Sequence, residues 1–165
     1  MTRARSLGRV VALAGAVLLV DQASKALVRS SVLRGERHEV LPFLDLVHVR
    51  NTGIAFGFLQ DGGALLIAGT SVALVALMAF VLGHANRPLV WLPAGLLLGG
   101  AAGNLVDRVR EGSVTDFLKL PAWPAFNAAD IAITFGVLSL LYVLEGPPRR
   151  REAQAAGAPQ PADGG

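Results

Sequence analysis

Residues 99–132 read GGAAGNLVDRVREGSVTDFLKLPAWPAFNAADIA. One apolar run leads into this stretch and another leads out of it. Between them fall Asn104, Asp107, Arg108, Asp116, Asn127 and Asp130. Charged and amide side chains so close to hydrocarbon are costly, and where they persist they mark function. The stretch therefore predicts helices on either side of a polar junction, with the chemistry at the junction. Asp116 and Asp130 read as a carboxylate pair at a membrane surface.

Composition supports the membrane setting. Of 165 residues, 53% are hydrophobic and only 16% charged, against about 25% charged in a soluble domain. The mean hydropathy is +0.52. The chain contains no cysteine, which excludes a disulfide, a thiol nucleophile, a cysteine metal site and a lipid-modified cysteine of its own. The net charge of +3 is small and the arginines cluster at the ends. They act as topology signals rather than as a nucleic-acid surface, so no nucleic-acid partner is expected.

Outward from the junction, the hydropathy predicts a mostly α membrane protein with four transmembrane helices and a small extracytoplasmic β platform. The spans lie at about 7–28, 62–82, 89–106 and 128–144, each near the roughly 20 residues that cross a bilayer. The first follows Arg3, Arg5 and Arg9, as a signal peptide would. Its helical pattern continues through Asp21, Gln22 and Lys25 to Val28, which makes it a span. Residues 29–39 read as a polar connector. In the platform, about 40–59, Phe43–Arg50 alternates as a strand, Asn51-Thr52-Gly53 is a turn, and Ile54–Leu59 returns as a second strand. His38 and His48 read as surface residues. Asp107–Asn127 reads as a polar loop, with Trp123 as an interfacial anchor. Residues 1–145 thus form one domain, and 146–165, rich in Arg, Pro, Ala and Gly, a disordered cytoplasmic tail.

Four spans put both termini on one side. The Lys/Arg totals of the two sides are nearly equal, so orientation rests on the clusters beside the first and last spans. Arg3, Arg5 and Arg9 with Arg149, Arg150 and Arg151 place that side in the cytoplasm. The platform and the polar junction then share the outer face.

Two carboxylates at close range split their titrations, giving one acid and one base. Such a pair can hydrolyse an amide through water without metal or covalent nucleophile, so no cofactor and no metal is expected. Asp130 falls in the first turn of the fourth span, where the helix dipole favours a carboxylate. Asp107 reads as a structural member of an ion pair. Asp21 and Lys25 share a helix face, either as a self-satisfied pair or as a scaffold for the site. Asn127 is either an N-cap or a substrate contact, and Asn104 either helix glue or a second substrate amide. Arg108 either neutralises Asp107 or holds a substrate carbonyl or lipid headgroup. Gly95, Gly99 and Gly103 form a ladder that lets helices approach. Gly100 widens its flat surface, and the glycines beside the polar cluster could also make room for substrate.

DQASK (21–25), NTGIAFGF (51–58), GGAAGNLVDRVREGSVTDF (99–117) and FNAADIAI (126–133) together resemble the four motif regions of lipoprotein signal peptidase, also called signal peptidase II. The resemblance covers about residues 10–145. It implies an aspartyl membrane peptidase of the bacterial cytoplasmic (inner) membrane. Such an enzyme cuts diacylglyceryl-modified prolipoproteins on the amino side of the modified cysteine, near the extracytoplasmic face. It implies Asp116 and Asp130 as the catalytic pair, Asn51, Asn104, Arg108 and Asn127 around the substrate, and Asp21, Lys25 and Asp107 in support. It also implies membrane lipids as neighbours and globomycin-type antibiotics as inhibitors. Two other classes fit an intramembrane Asp and Lys less well. An ion- or proton-coupled transport component needs polar groups through the full membrane depth. A small interaction subunit leaves two acids with flanking asparagines unexplained.

Overall fold

The apolar runs fold as four helices: α1 (Arg3–Ser31), α2 (Gly63–His84), α3 (Trp91–Glu111) and α4 (Ala128–Glu145). The computed structural model describes residues 2–53, 63–84, 87 and 89–145. The expected second platform strand, Ile54–Leu59, and the tail at 146–165 lie outside the described residues. Helices α1, α2 and α4 are long and apolar enough to cross a membrane. Their outward faces carry side chains such as Val11, Leu19, Val72, Val75 and Phe135. Helix α3 gathers its charged residues at its C-terminal end, and it packs against all three others. Asn104 and Asp107 therefore face protein rather than lipid: both are buried, as are Ala94, Leu98 and Gly99 on other sides of the helix.

The small residues of α3 explain that close packing. Lipid gives helices no hydrophobic reason to associate, so association depends on intimate contact. A Cβ at Gly95 would meet Leu13, and one at Gly99 would lie 2.7 Å from the Ala14 carbonyl, both on α1. A Cβ at Gly100 would lie 2.6 Å from the Ala129 carbonyl of α4. The ladder thus seats α3 against α1 while Gly100 seats it against α4. The space that the sequence reading offered to substrate is filled by neighbouring backbone at Gly99 and Gly100 and by the Asp21 carboxylate at Gly103.

The polar connections fold as one antiparallel sheet, order β1-β2-β3, from β1 (Arg37–Leu41), β2 (Leu44–Asn51) and β3 (Val114–Lys119). Strand β2 is the one the alternation predicts. Its hairpin partner lies upstream, in residues read as a connector, and its other edge is taken by β3, read as loop. The local alternation of β2 is strong because Asp45 and Val47 point inward. Strand β3 has a four-residue buried run, Val114–Phe117, whose strand character is set by pairing with β2. Phe117 packs with Val28 and Val32, fixing the sheet on the end of α1. His48 is also buried, its Nδ1 lying 2.8 Å from the Val32 carbonyl, so the surface reading fails for it and holds for the exposed His38. The imidazole is pulled inward because it satisfies a carbonyl at the end of α1.

Asp107 and Arg108 complete α3 rather than beginning a loop. The helix stops at Gly112, which takes the left-handed conformation (φ 68°) and returns its N–H to Arg108 O. That reversal sends the chain directly into β3. The register then pairs Val49 with Asp116 and Asn51 with Val114, so Asn51 lies diagonally across from Asp116 on one face.

Candidate active site

Beneath the site lies a buried charged core. Asp21, Lys25 and Arg29 recur every four residues along one face of α1. The Lys25 ammonium is fully buried, 2.8 Å from Asp21 Oδ2 and 3.2 Å from Asp107 Oδ2. It donates to Asn104 Oδ1 at 3.0 Å. Three donors therefore meet three acceptors. Both carboxylates also accept from backbone: the Ala129 N–H donates to Asp21 Oδ1 at 2.9 Å and the Thr115 N–H to Asp107 Oδ2 at 3.1 Å. This core ties α1 and α3 to the start of α4 and of β3.

Each of those starts carries one of the two acids. Asn127 is the N-cap of α4: its Oδ1 accepts the Asp130 N–H at 3.0 Å, and Asp130 Oδ2 accepts the Asn127 N–H at 3.1 Å. This reciprocal pair is a capping box. It also leaves the Asn127 amide nitrogen free to donate to Asp116 Oδ1 at 2.7 Å and Asn104 Oδ1 at 3.2 Å. Asn104 Nδ2 donates to Asp130 Oδ1 at 2.8 Å, and Asn51 Nδ2 to Asp116 Oδ2 at 2.9 Å. The amide orientations follow from their partners. An ammonium cannot accept, so Asn104 must present its oxygen to Lys25 and its nitrogen to Asp130. Among the described residues, no fully buried side-chain nitrogen or oxygen lacks a partner.

The two acids sit in different surroundings. Asp116 is 2% exposed, and burial pushes its carboxyl up to about 6. The hydrogen bond from Asn51 opposes that shift, the charge of Asp130 adds to it, and Asn127 and Lys25 oppose it. Asp130 is half-buried and opens onto a groove of about 570 Å³. Asn51, Arg108, Trp123, Ile131 and Phe135 are among its lining. The groove thus has apolar walls with a carboxylate and a guanidinium at its polar end.

Comparison with known proteins is specific. A family model described as signal peptidase (SPase) II matches residues 13–145. The chain belongs to the signal peptidase II family. A lipoprotein signal peptidase of Moorella thermoacetica is 44% identical over 130 residues, covering 78% of this chain and 87% of the relative. One of Nitratidesulfovibrio vulgaris is 40% identical, covering 77% and 83%. Two solved structures of bacterial membrane enzymes superpose with TM-scores of 0.79 and 0.77 at 28% and 32% identity. The first covers 94% of this chain and 95% of that one, the second 83% and 92%. The chain is accordingly a multi-pass membrane peptidase, and the transport alternative has no support in these relatives.

Every site residue named from the sequence falls within this arrangement. Asp107 does not pair with its neighbour Arg108; its cations are Lys25 and, at 3.9 Å, Arg29. Arg108 instead reaches back to the Asn104 carbonyl at 3.4 Å and faces the groove. Gln22 was overlooked, although it lies within the first motif: it donates to Asp107 Oδ1 at 3.0 Å and to the Gly103 carbonyl at 3.2 Å. Arg29 was overlooked too, and bridges Thr115 Oγ1 at 3.2 Å and Glu111 at 3.3 Å. Its signal was the continuation of the Asp21–Lys25 spacing by one more turn.

Proposed function

We propose that this chain is an aspartic endopeptidase that removes signal peptides from diacylglyceryl-modified bacterial prolipoproteins, cutting on the amino side of the modified cysteine. The observation that carries the reading is the framing of Asp116 and Asp130 by shared amides: Asn127 bonds to both acids, and Asn104 bonds to Asp130 and to Asn127. The curated relatives are lipoprotein signal peptidases, which supports prolipoproteins as the substrate class.

In this mechanism Asp130, at the groove and at the positive end of the α4 dipole, is the ionised member and takes a proton from water. Asp116, whose buried carboxyl is pushed up to about 6, is the neutral member and donates to the scissile carbonyl oxygen as the water oxygen bonds to the carbon. Collapse of that tetrahedral species breaks the C–N bond as the proton held on Asp130 passes to the leaving nitrogen and one hydroxyl proton of the tetrahedral carbon returns to Asp116, leaving the new carboxyl group and the pair as it began. Asn127 and Asn104 hold the acids in register. Arg108 and Asn51, at the groove, contact the substrate backbone. Asp21, Lys25, Asp107 and Gly100 support the frame. The arginine clusters beside the first and last spans support a cytoplasmic side for both ends of the four-helix domain, which favours acids near the extracytoplasmic face of the inner membrane. Globomycin-type inhibitors would compete for the same groove.

The test is a cleavage assay on a diacylglyceryl-modified prolipoprotein with wild-type chain, Asp116→Asn and Asp130→Asn. Near-normal cleavage by either variant removes that residue from the mechanism.

A further inference from the structure

A second cavity, of about 250 Å³, lies on the other side of the sheet from the acids. Its lining includes Arg29, Arg34, His48, Arg50 and Glu111, with Val32 and Leu33 at the end of α1. Three guanidinium groups there face one carboxylate. Arg29 is held by Glu111 and Thr115. Arg50 is held by Ser113 Oγ at 2.7 Å and by the Glu111 carbonyl. Each guanidinium has five N–H donors, and these contacts use only part of them. Arg34 is exposed and engages no other described residue through a hydrogen bond or ion pair. Glu36, in the adjacent turn, is occupied with the Leu33 N–H and His38.

We propose that this cavity binds the phosphate headgroup of an anionic glycerophospholipid. The cation surplus selects a phosphate, which guanidinium forks match in charge and geometry. The source is read from position. The cavity opens where α1 ends at the membrane boundary, and its lip carries Leu33, 72% exposed, just beyond the extended C-cap of α1 at Val32. An acyl chain can lie against that leucine while the phosphate meets the arginines, an arrangement a free anion would not need. Peptidase chemistry makes no use of this cluster, yet the cluster borders the site: Thr115 precedes Asp116, and Arg50 precedes Asn51. A phosphate bound across Arg29, Arg34 and Arg50 therefore fastens both strands that carry groups of the acid pair.

The test is thermal melting of the full chain in phosphatidylcholine nanodiscs, in discs with phosphatidylglycerol added, and in phosphatidylcholine discs with inorganic phosphate in the buffer. Wild type should melt about 5 °C higher with phosphatidylglycerol, as a ligand that binds only the folded state requires. Arg34→Gln, an exposed position, should lose most of that rise while matching wild type in phosphatidylcholine. Arg110→Gln, an exposed cation of α3 outside the cavity, should keep it. No rise in wild type, an undiminished rise in Arg34→Gln, or an equal loss in Arg110→Gln overturns the proposal. A rise with inorganic phosphate alone overturns the lipid as the source of the anion.

Discussion

Replacing Lys25 with methionine removes one charge and three hydrogen-bond donors while nearly preserving side-chain length. Two buried carboxylates, Asp21 and Asp107, then lose a cation at 2.8 and 3.2 Å. Each keeps part of its solvation by protein: Asp21 still accepts from Ala129 N–H, and Asp107 from Thr115 N–H and Gln22. Arg29, at 3.9 Å from Asp107 and partly exposed, compensates weakly. Removing one partner of a buried ion pair costs about 3–5 kcal/mol. For a chain of this length, each kcal/mol lowers Tm by about 2–4 °C, so the fall should be on the order of 10 °C. The assay is a melting curve in one detergent for wild type, Lys25→Met and His38→Gln. The last disrupts an exposed pair with Glu36, which solvent screens almost completely. If Lys25→Met melts as close to wild type as His38→Gln does, the charged core is not what holds α1 to α4 and β3.

Asp116→Asn and Asp130→Asn should each lower cleavage by about 10⁴-fold or more, and the double variant should be little worse, because groups that act as a unit are not additive; measured single-turnover rates decide this. Since burial raises the Asp116 carboxyl to about 6, it holds its proton below that pH and loses it above, so kcat/KM should fall as pH rises through the region near 6. The Asn51 hydrogen bond favours the ionised form, so Asn51→Ala should move that inflection to higher pH; a shift downward would refute the assignment. Asp107→Asn should lower Tm while leaving residual cleavage, whereas an unchanged melting curve with no cleavage would move Asp107 into the catalytic set. Gly103→Leu should prevent stable folding or abolish cleavage, because even a Cβ there overlaps the Asp21 carboxylate, while Gly95→Leu, which crowds Leu13 of α1 about two helical turns further from the acids, should be milder for cleavage. Activity should survive a chelator, as no group of three or more His, Asp or Glu among the described residues is placed to hold a metal.

Hydropathy and short-range spacing determined by themselves that four apolar runs form helices, that a strand runs through most of Phe43–Arg50, and that Asp130 lies in the first turn of α4. Each of these depends on neighbours within one turn or one pleat, so the chain carries the signal locally. The motif blocks likewise placed the polar residues at one end of the helices. What only the tertiary structure decided is which of those residues meet. Strand β3 exists because Val114–Phe117 pairs with a strand some 65 positions earlier, as Asn51 meets Asp116, and no local alternation announces it. Asp107 finds Lys25 and Arg29 rather than the adjacent Arg108, because consecutive residues of a helix point about 100° apart and cannot share a face. The orientation of Asn104, and with it the hydrogen bond to Asp130, is set by an ammonium from another helix. Pairing across the fold depends on backbone approach, here permitted by Gly99, Gly100 and Gly103, and that approach is a property of packed helices rather than of any single segment.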